Sequence, residues 1–143
     1  MKHQNPSDEA IRKILGKART IAMIGASSKS HRPSHGVMRT LLDAGYRVIP
    51  VNPRETEVLG QKAVASLDAI TEKVDIVDVF RKAEDTPPLA DEAAKLGARV
   101  LWLQLRIASD EAAERAAAGG LTVVMDRCLG QTVRAMDIVV RGR

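Results

Sequence analysis

Short, continuous apolar runs alternate with segments of helical period along nearly the whole chain. Few architectures accept that pattern. A run with no polar alternation must be covered on both faces, which calls for a parallel sheet with helices on either side. The first helical segment spans residues 8–17, with Ile11, Ile14 and Leu15 on one face and Ser7 and Asp8 as cap candidates. A buried strand over 20–24 stops at Gly25, and a helix over 35–44, carrying Val37, Met38, Leu41 and Leu42, stops at Gly45. A second strand over 46–51 ends at Asn52-Pro53. Residues 54–71 are less regular, with a short strand near Val64 and a helical turn over 67–70. Strands over 75–80, 99–103 and 121–125 then alternate with helices over 87–96, 109–118 and 132–138.

These elements predict an α/β fold: a Rossmann-like, doubly wound, mainly parallel sheet of five or six strands with helices on both faces. At 143 residues the chain fits a single domain over 1–143, with 1–19 as an N-terminal helix leading into it. Right-handed crossovers put every strand-to-helix loop on one edge, and ligands of such sheets sit outside the carboxyl ends of the strands. The informative residues are therefore those just after each strand.

Several classes fall away. One cysteine, Cys128, permits neither a disulfide framework nor a multi-thiolate metal site, and fits a reducing cytoplasm. The polar start at residues 1–6 has no signal-peptide core, and no apolar run is long enough to cross a bilayer, so no membrane partner is expected. The net charge of +4 admits an anionic partner. Acids are interspersed with the bases, however, and Tyr46, Phe80 and Trp102 are too few aromatics for a base-stacking platform, which argues against nucleic acid.

The loop after the first strand is the richest segment. Gly25, Ala26, Ser27, Ser28 and Lys29 lead through His31 and Arg32 to a helix that starts near Ser34, with His35 and Gly36 in its first turn. Backbone amides and the helix N-terminus supply partial positive charge, the serines supply hydroxyls, and Lys29, His31 and Arg32 add to it. Ser34 is an N-cap candidate, and Gly36 lets a ligand approach the first turn. The segment matches neither G-x-G-x-x-G nor the P-loop. It reads as a phosphate site or as a basic surface loop that binds nothing. At the end of the second strand, Asn52, Pro53 and Arg54 stand where an NAD site carries an acid. An arginine there favours a phosphorylated ribose, as in NADP or coenzyme A; the alternative is a plain turn with Arg54 in solvent.

Taken in order, Val-Ile-Pro-Val-Asn-Pro at 48–53, Asp-Ile-Val-Asp-Val-Phe-Arg at 75–81, Leu-Trp-Leu-Gln-Leu at 101–105 and Val-Val-Met-Asp-Arg-Cys at 123–128 resemble the stand-alone CoA-binding domain family. That family is similar to the N-terminal domain of the succinyl-CoA synthetase α subunit and of NDP-forming acyl-CoA synthetases. The resemblance implies coenzyme A or an acyl-CoA across the carboxyl edge. Gly25 to Lys29 would match the phosphate loop, residues 51–54 the adenosine side, Phe80 and Arg81 the flank of the cofactor, and Gln104 the pantetheine arm. Phe80 can stack on adenine or cap the core, and Arg81 can meet a pyrophosphate or a nearby acid, Glu84 or Asp85. Where the family has glycine, this chain has Arg106, which would narrow the pocket or add a phosphate contact.

No catalytic residue is expected. The phosphorylated histidine of the synthetases lies in another domain, with no counterpart here. Ser27 or Ser28 with His31 or His35 lacks a nucleophile-elbow pattern. A single cysteine such as Cys128 is more often a small core residue than a nucleophile, and Asp126-Arg127 reads as an ion pair capping the last strand. The expected function is non-catalytic binding of coenzyme A or a short acyl-CoA. The alternatives are an NADP-dependent oxidoreductase, or an interaction subunit that has lost its ligand. The sequence names no protein partner.

Overall fold

In the computed structural model, which describes residues 2–140, the Ser7 hydroxyl accepts the Ala10 N–H and opens helix α1 (Asp8–Lys17). Met1, the first residue of the polar start, lies outside the described residues. Ser109 does the same for α4 (Asp110–Ala118) by accepting the Ala112 N–H. Each such cap is worth about 1 kcal/mol. The remaining helices are α2 (Pro33–Asp43), α3 (Thr86–Leu96) and α5 (Leu129–Ala135), with 3-10 turns at Leu67–Ala69 and Ala83–Asp85.

Five strands form one parallel sheet: β1 (Thr20–Ile24), β2 (Arg47–Val51), β5 (Ile76–Val79), β6 (Val100–Leu103) and β7 (Thr122–Val124). Their spatial order is β2-β1-β5-β6-β7. After β2 the chain crosses back over β1, so the order reverses between β1 and β5. A small antiparallel pair, β3 (Glu57–Val58) with β4 (Gln61–Lys62), fills the segment that sequence periodicity left irregular. Val64 forms a single parallel bridge to Val51.

The sheet is buried on both faces, as its unbroken apolar strands demand. On one face Ala22, Ile24, Val77, Val79, Leu101 and Leu103 pack with residues of α3 and α4. On the other, Ile21, Met23, Ile76, Val100 and Trp102 pack with residues of α1, α2 and α5. The Tyr46 hydroxyl, buried with its phenol pKa pushed upward, donates to the Leu15 carbonyl and ties α1 to the entry of β2.

Two helices start two or more residues earlier than their sequences suggest. In α2, Pro33 takes the first helical position, where its fixed φ and missing N–H fit. Arg32 is therefore the N-cap, and Ser34 is a buried residue inside the helix. Helix α5 begins at Leu129, three residues before the expected 132, because Leu129 and Val133 bury the same face. Among the described residues no helix is long and apolar enough to cross a membrane.

Candidate functional site

The reversal between β1 and β5 leaves a crevice outside their carboxyl ends, the usual ligand position in such sheets. Two glycyl features shape it. Gly25 leaves β1 at φ +86°, and a Cβ on it would stand 2.5 Å from the Phe80 carbonyl oxygen at the exit of β5. Gly36, in the first turn of α2, faces open space: a methyl there would meet nothing within 4 Å.

A groove of about 800 Å³ opens from this point. Gly25, Arg32, Gly36, Phe80, Arg81 and Gln104 line it, six of the residues singled out by sequence. So do Cys128, which its place after the last strand allowed to face the cleft, and Lys82, Gly130, Gln131 and Arg134, which sequence reasoning did not place there. The signal for the last three was the Leu129 and Val133 spacing that marks the true start of α5. Arg32, Arg81, Lys82 and Arg134 give the groove four cations, and no carboxylate lines it among the described residues. The N-terminus of α2 opens toward it with no side-chain cap; Arg32 and His35 donate their N–H groups to the Lys29 and Arg32 carbonyls and Pro33 has none, which leaves the Ser34 N–H as the donor of this turn.

Phe80 packs on the core cluster around Trp102, as the capping reading expected, and also lines the groove. Arg81 pairs with Asp85 at 3.6 Å, with both side chains about half exposed, so the contact is weak and readily exchanged. Gln104 is buried, and its Oε1 accepts the Leu129 N–H at 3.1 Å, fixing the start of α5 against β6. Cys128 is half-buried and is the N-cap of α5, its sulfur accepting the Gln131 N–H at 3.5 Å.

A second hollow, of about 540 Å³, holds Asn52, Pro53 and Arg54, with Ser66, Leu89 and Glu92 opposite. Gly25 and Arg81 line both recesses. Asn52 builds the turn: its Nδ2 donates to the Ala26 carbonyl at 2.8 Å and its Oδ1 accepts the Arg54 N–H at 2.9 Å. Ala26 itself is buried in the core.

Ser27, Ser28, Lys29 and His35 line neither recess. The Ser27 hydroxyl accepts the Lys29 N–H. At Ser28 an acid missed by sequence intervenes. Glu55 Oε2 accepts the Ser28 N–H at 2.7 Å and the Ser28 hydroxyl at 3.0 Å. Those hydrogen bonds, with a smaller contribution from the Lys29 charge, hold the Glu55 carboxyl below the usual carboxylate range. The Ser28 hydroxyl thus serves an acid and not a histidine.

Two further expectations are corrected. Asp126 and Arg127 do not pair with each other: Asp126 accepts the Arg106 N–H at 2.7 Å, while Arg127 pairs with Asp8 at 2.9 Å. Arg106 lines neither recess, so it does not narrow them. Its φ of +70° is left-handed, the conformation that favours the glycine expected there.

The family model described as CoA binding domain matches residues 19–134. The chain belongs to this CoA-binding domain family. The Bacillus subtilis (strain 168) protein YneT is 44% identical over 126 residues, covering 88% of this chain and 93% of that protein. A solved Thermus thermophilus structure, cell-free ID.343, superposes with a TM-score of 0.87 at 40% identity, covering 92% of this chain and 99% of that one. The Pyrococcus furiosus acetate–CoA ligase (ADP-forming) I subunit alpha is 29% identical over 93 residues, 61% of this chain. The match spans only 20% of that subunit.

Proposed function

We propose that the crevice between β1 and β5 binds coenzyme A, or a short acyl-CoA, without turning it over. One observation carries this reading: a groove at the strand-order reversal, of ligand size, lined by four cations and no carboxylate among the described residues. The family of the chain supports the choice of coenzyme. In this reading the pyrophosphate lies on the bend of Gly25, Ala26, Ser27, Ser28 and Lys29 and on the first turn of α2, near Arg32, His35 and Gly36. The adenosine occupies the hollow at Asn52, Pro53 and Arg54, with the ribose phosphate near Arg54. The pantetheine arm runs past Phe80 and Arg81 toward Gln104. Phosphate contacts from fixed amides and cations supply affinity, and the apolar groove wall takes the arm.

Isothermal titration with coenzyme A, dephospho-coenzyme A and NADP tests it. Coenzyme A should bind tightly and the dephospho form should lose affinity. Lys29→Ala or Arg54→Ala should each weaken coenzyme A by about 1–3 kcal/mol, the range for a lost charge-assisted contact. Heat from NADP with coenzyme A silent, or from none of the three, would remove the assignment.

A further inference from the structure

At the opposite, amino edge of the sheet lies a cleft of about 480 Å³ whose charge is not explained by the fold. Lys13, Lys17, Arg19, Lys73 and Arg99 surround it, against one acid, Asp75. That excess equals the net +4 of the whole chain. The basic residues come from three separate stretches, so the cluster exists only after folding. Asp75 offsets one of the five, and its Oδ2 is held in place by the N–H groups of Arg19 and Thr20 at 2.8 and 3.0 Å. Glu9, on the outer side of α1, reaches Lys13 only at 4.0 Å, with both side chains largely exposed.

Helix termini account for part of the cluster. Lys17 stands in the last turn of α1, and the Arg19 guanidinium donates to the carbonyls of Gly16, Lys17 and Ala18. Lys73 and Arg99 have no such role, since they lead into β5 and β6. All five cations are exposed, so solvent screens their mutual repulsion in part, and an anion among them would relieve the rest. The lining is not only polar: half-buried Ile14 presents apolar surface to the cleft, above the buried Ala18, Ile76 and Val100.

We propose that this amino-edge cleft binds a small organic phosphate, its anionic group among Lys17, Lys73 and Arg99 and its apolar body against Ile14. The volume suits a small molecule. The site is independent of the coenzyme groove, since it lies at the other end of the strands.

Phenyl phosphate, inorganic phosphate and a hexaglutamate peptide, each titrated into the full chain and followed by amide NMR shifts, test the proposal. Phenyl phosphate should shift the amides of Arg19, Thr20, Ile76, Val100 and Thr122 saturably. It should bind about tenfold more tightly than inorganic phosphate, as about 60 Å² of buried ring would provide. The response should vanish in Lys73→Gln/Arg99→Gln, with Lys17→Gln/Lys73→Gln as the second variant. The Gly25 amide reports any binding in the coenzyme groove separately. The proposal is overturned by shifts that do not saturate, by equal affinity for the two phosphates, by a response that survives both variants, or by hexaglutamate binding where phenyl phosphate does not.

Discussion

Glu55 follows the turn that ends β2, yet its carboxylate reaches back to the bend that ends β1 and holds both donors of Ser28. In the proposed coenzyme site the Ser28 amide is a phosphate donor, and one acceptor must leave before another arrives. The Glu55 charge also opposes an incoming anion at short range. Glu55→Gln should therefore tighten coenzyme A by about three- to tenfold, the modest effect expected of an exposed charge. Titrations of the two proteins at one ionic strength would show it. Weaker binding by the Gln variant would instead make Glu55 a direct ligand contact. Arg81 presents a milder version of the same situation, because its exposed pairing with Asp85 has to loosen before it can face the groove.

At the scale of elements, the site depends on how closely the exits of β1 and β5 approach. Gly25→Ala places a methyl 2.5 Å from the Phe80 carbonyl oxygen at a backbone angle that side chains avoid. It should cost about 2–4 kcal/mol in denaturant unfolding and weaken coenzyme A as well. Gly36→Ala is the contrasting case: its methyl meets nothing, and the helix should gain about 0.5–1 kcal/mol. Most elements were legible because apolar periodicity, serine caps and closing glycines agree with one another along this chain. The β3–β4 pair was not, since two-residue strands have no period to read. The start of α5 was hidden by Gly130, which reads as a breaker but sits inside the helix, buried against Val37. Of the site, the residues at strand ends were readable from order alone. Glu55, the groove-lining residues at α5 and the amino-edge cluster were not, because their meeting depends on tertiary contacts between distant segments.

For the molecule as a whole, Asp78 sets a dependence on pH. It lies on the middle strand between Met23 and Trp102, fully buried, and neither carboxyl oxygen has a hydrogen-bond partner. Burial pushes its carboxyl well above the usual carboxylate range. The folded protein therefore holds that proton more tightly than the unfolded chain does. The associated stability is complete below the ordinary carboxylate pKa of about 3.9 and is lost as pH rises through the folded value. Asp78→Asn removes the titration. The stability of the wild type relative to this variant should fall by up to about 1.4 kcal/mol per pH unit across that window. Denaturant midpoints measured at a series of pH values would reveal it, and parallel curves for the two proteins would mean that the carboxyl is charged.

Gly25 and Arg81 belong to both hollows at the carboxyl edge, so the two adjoin at these residues. A molecule that fills only one hollow leaves the other to water. One that fills both has to turn past Gly25 and Arg81 and be long enough to reach each end. Reach and curvature thus become criteria of selection in their own right, alongside charge.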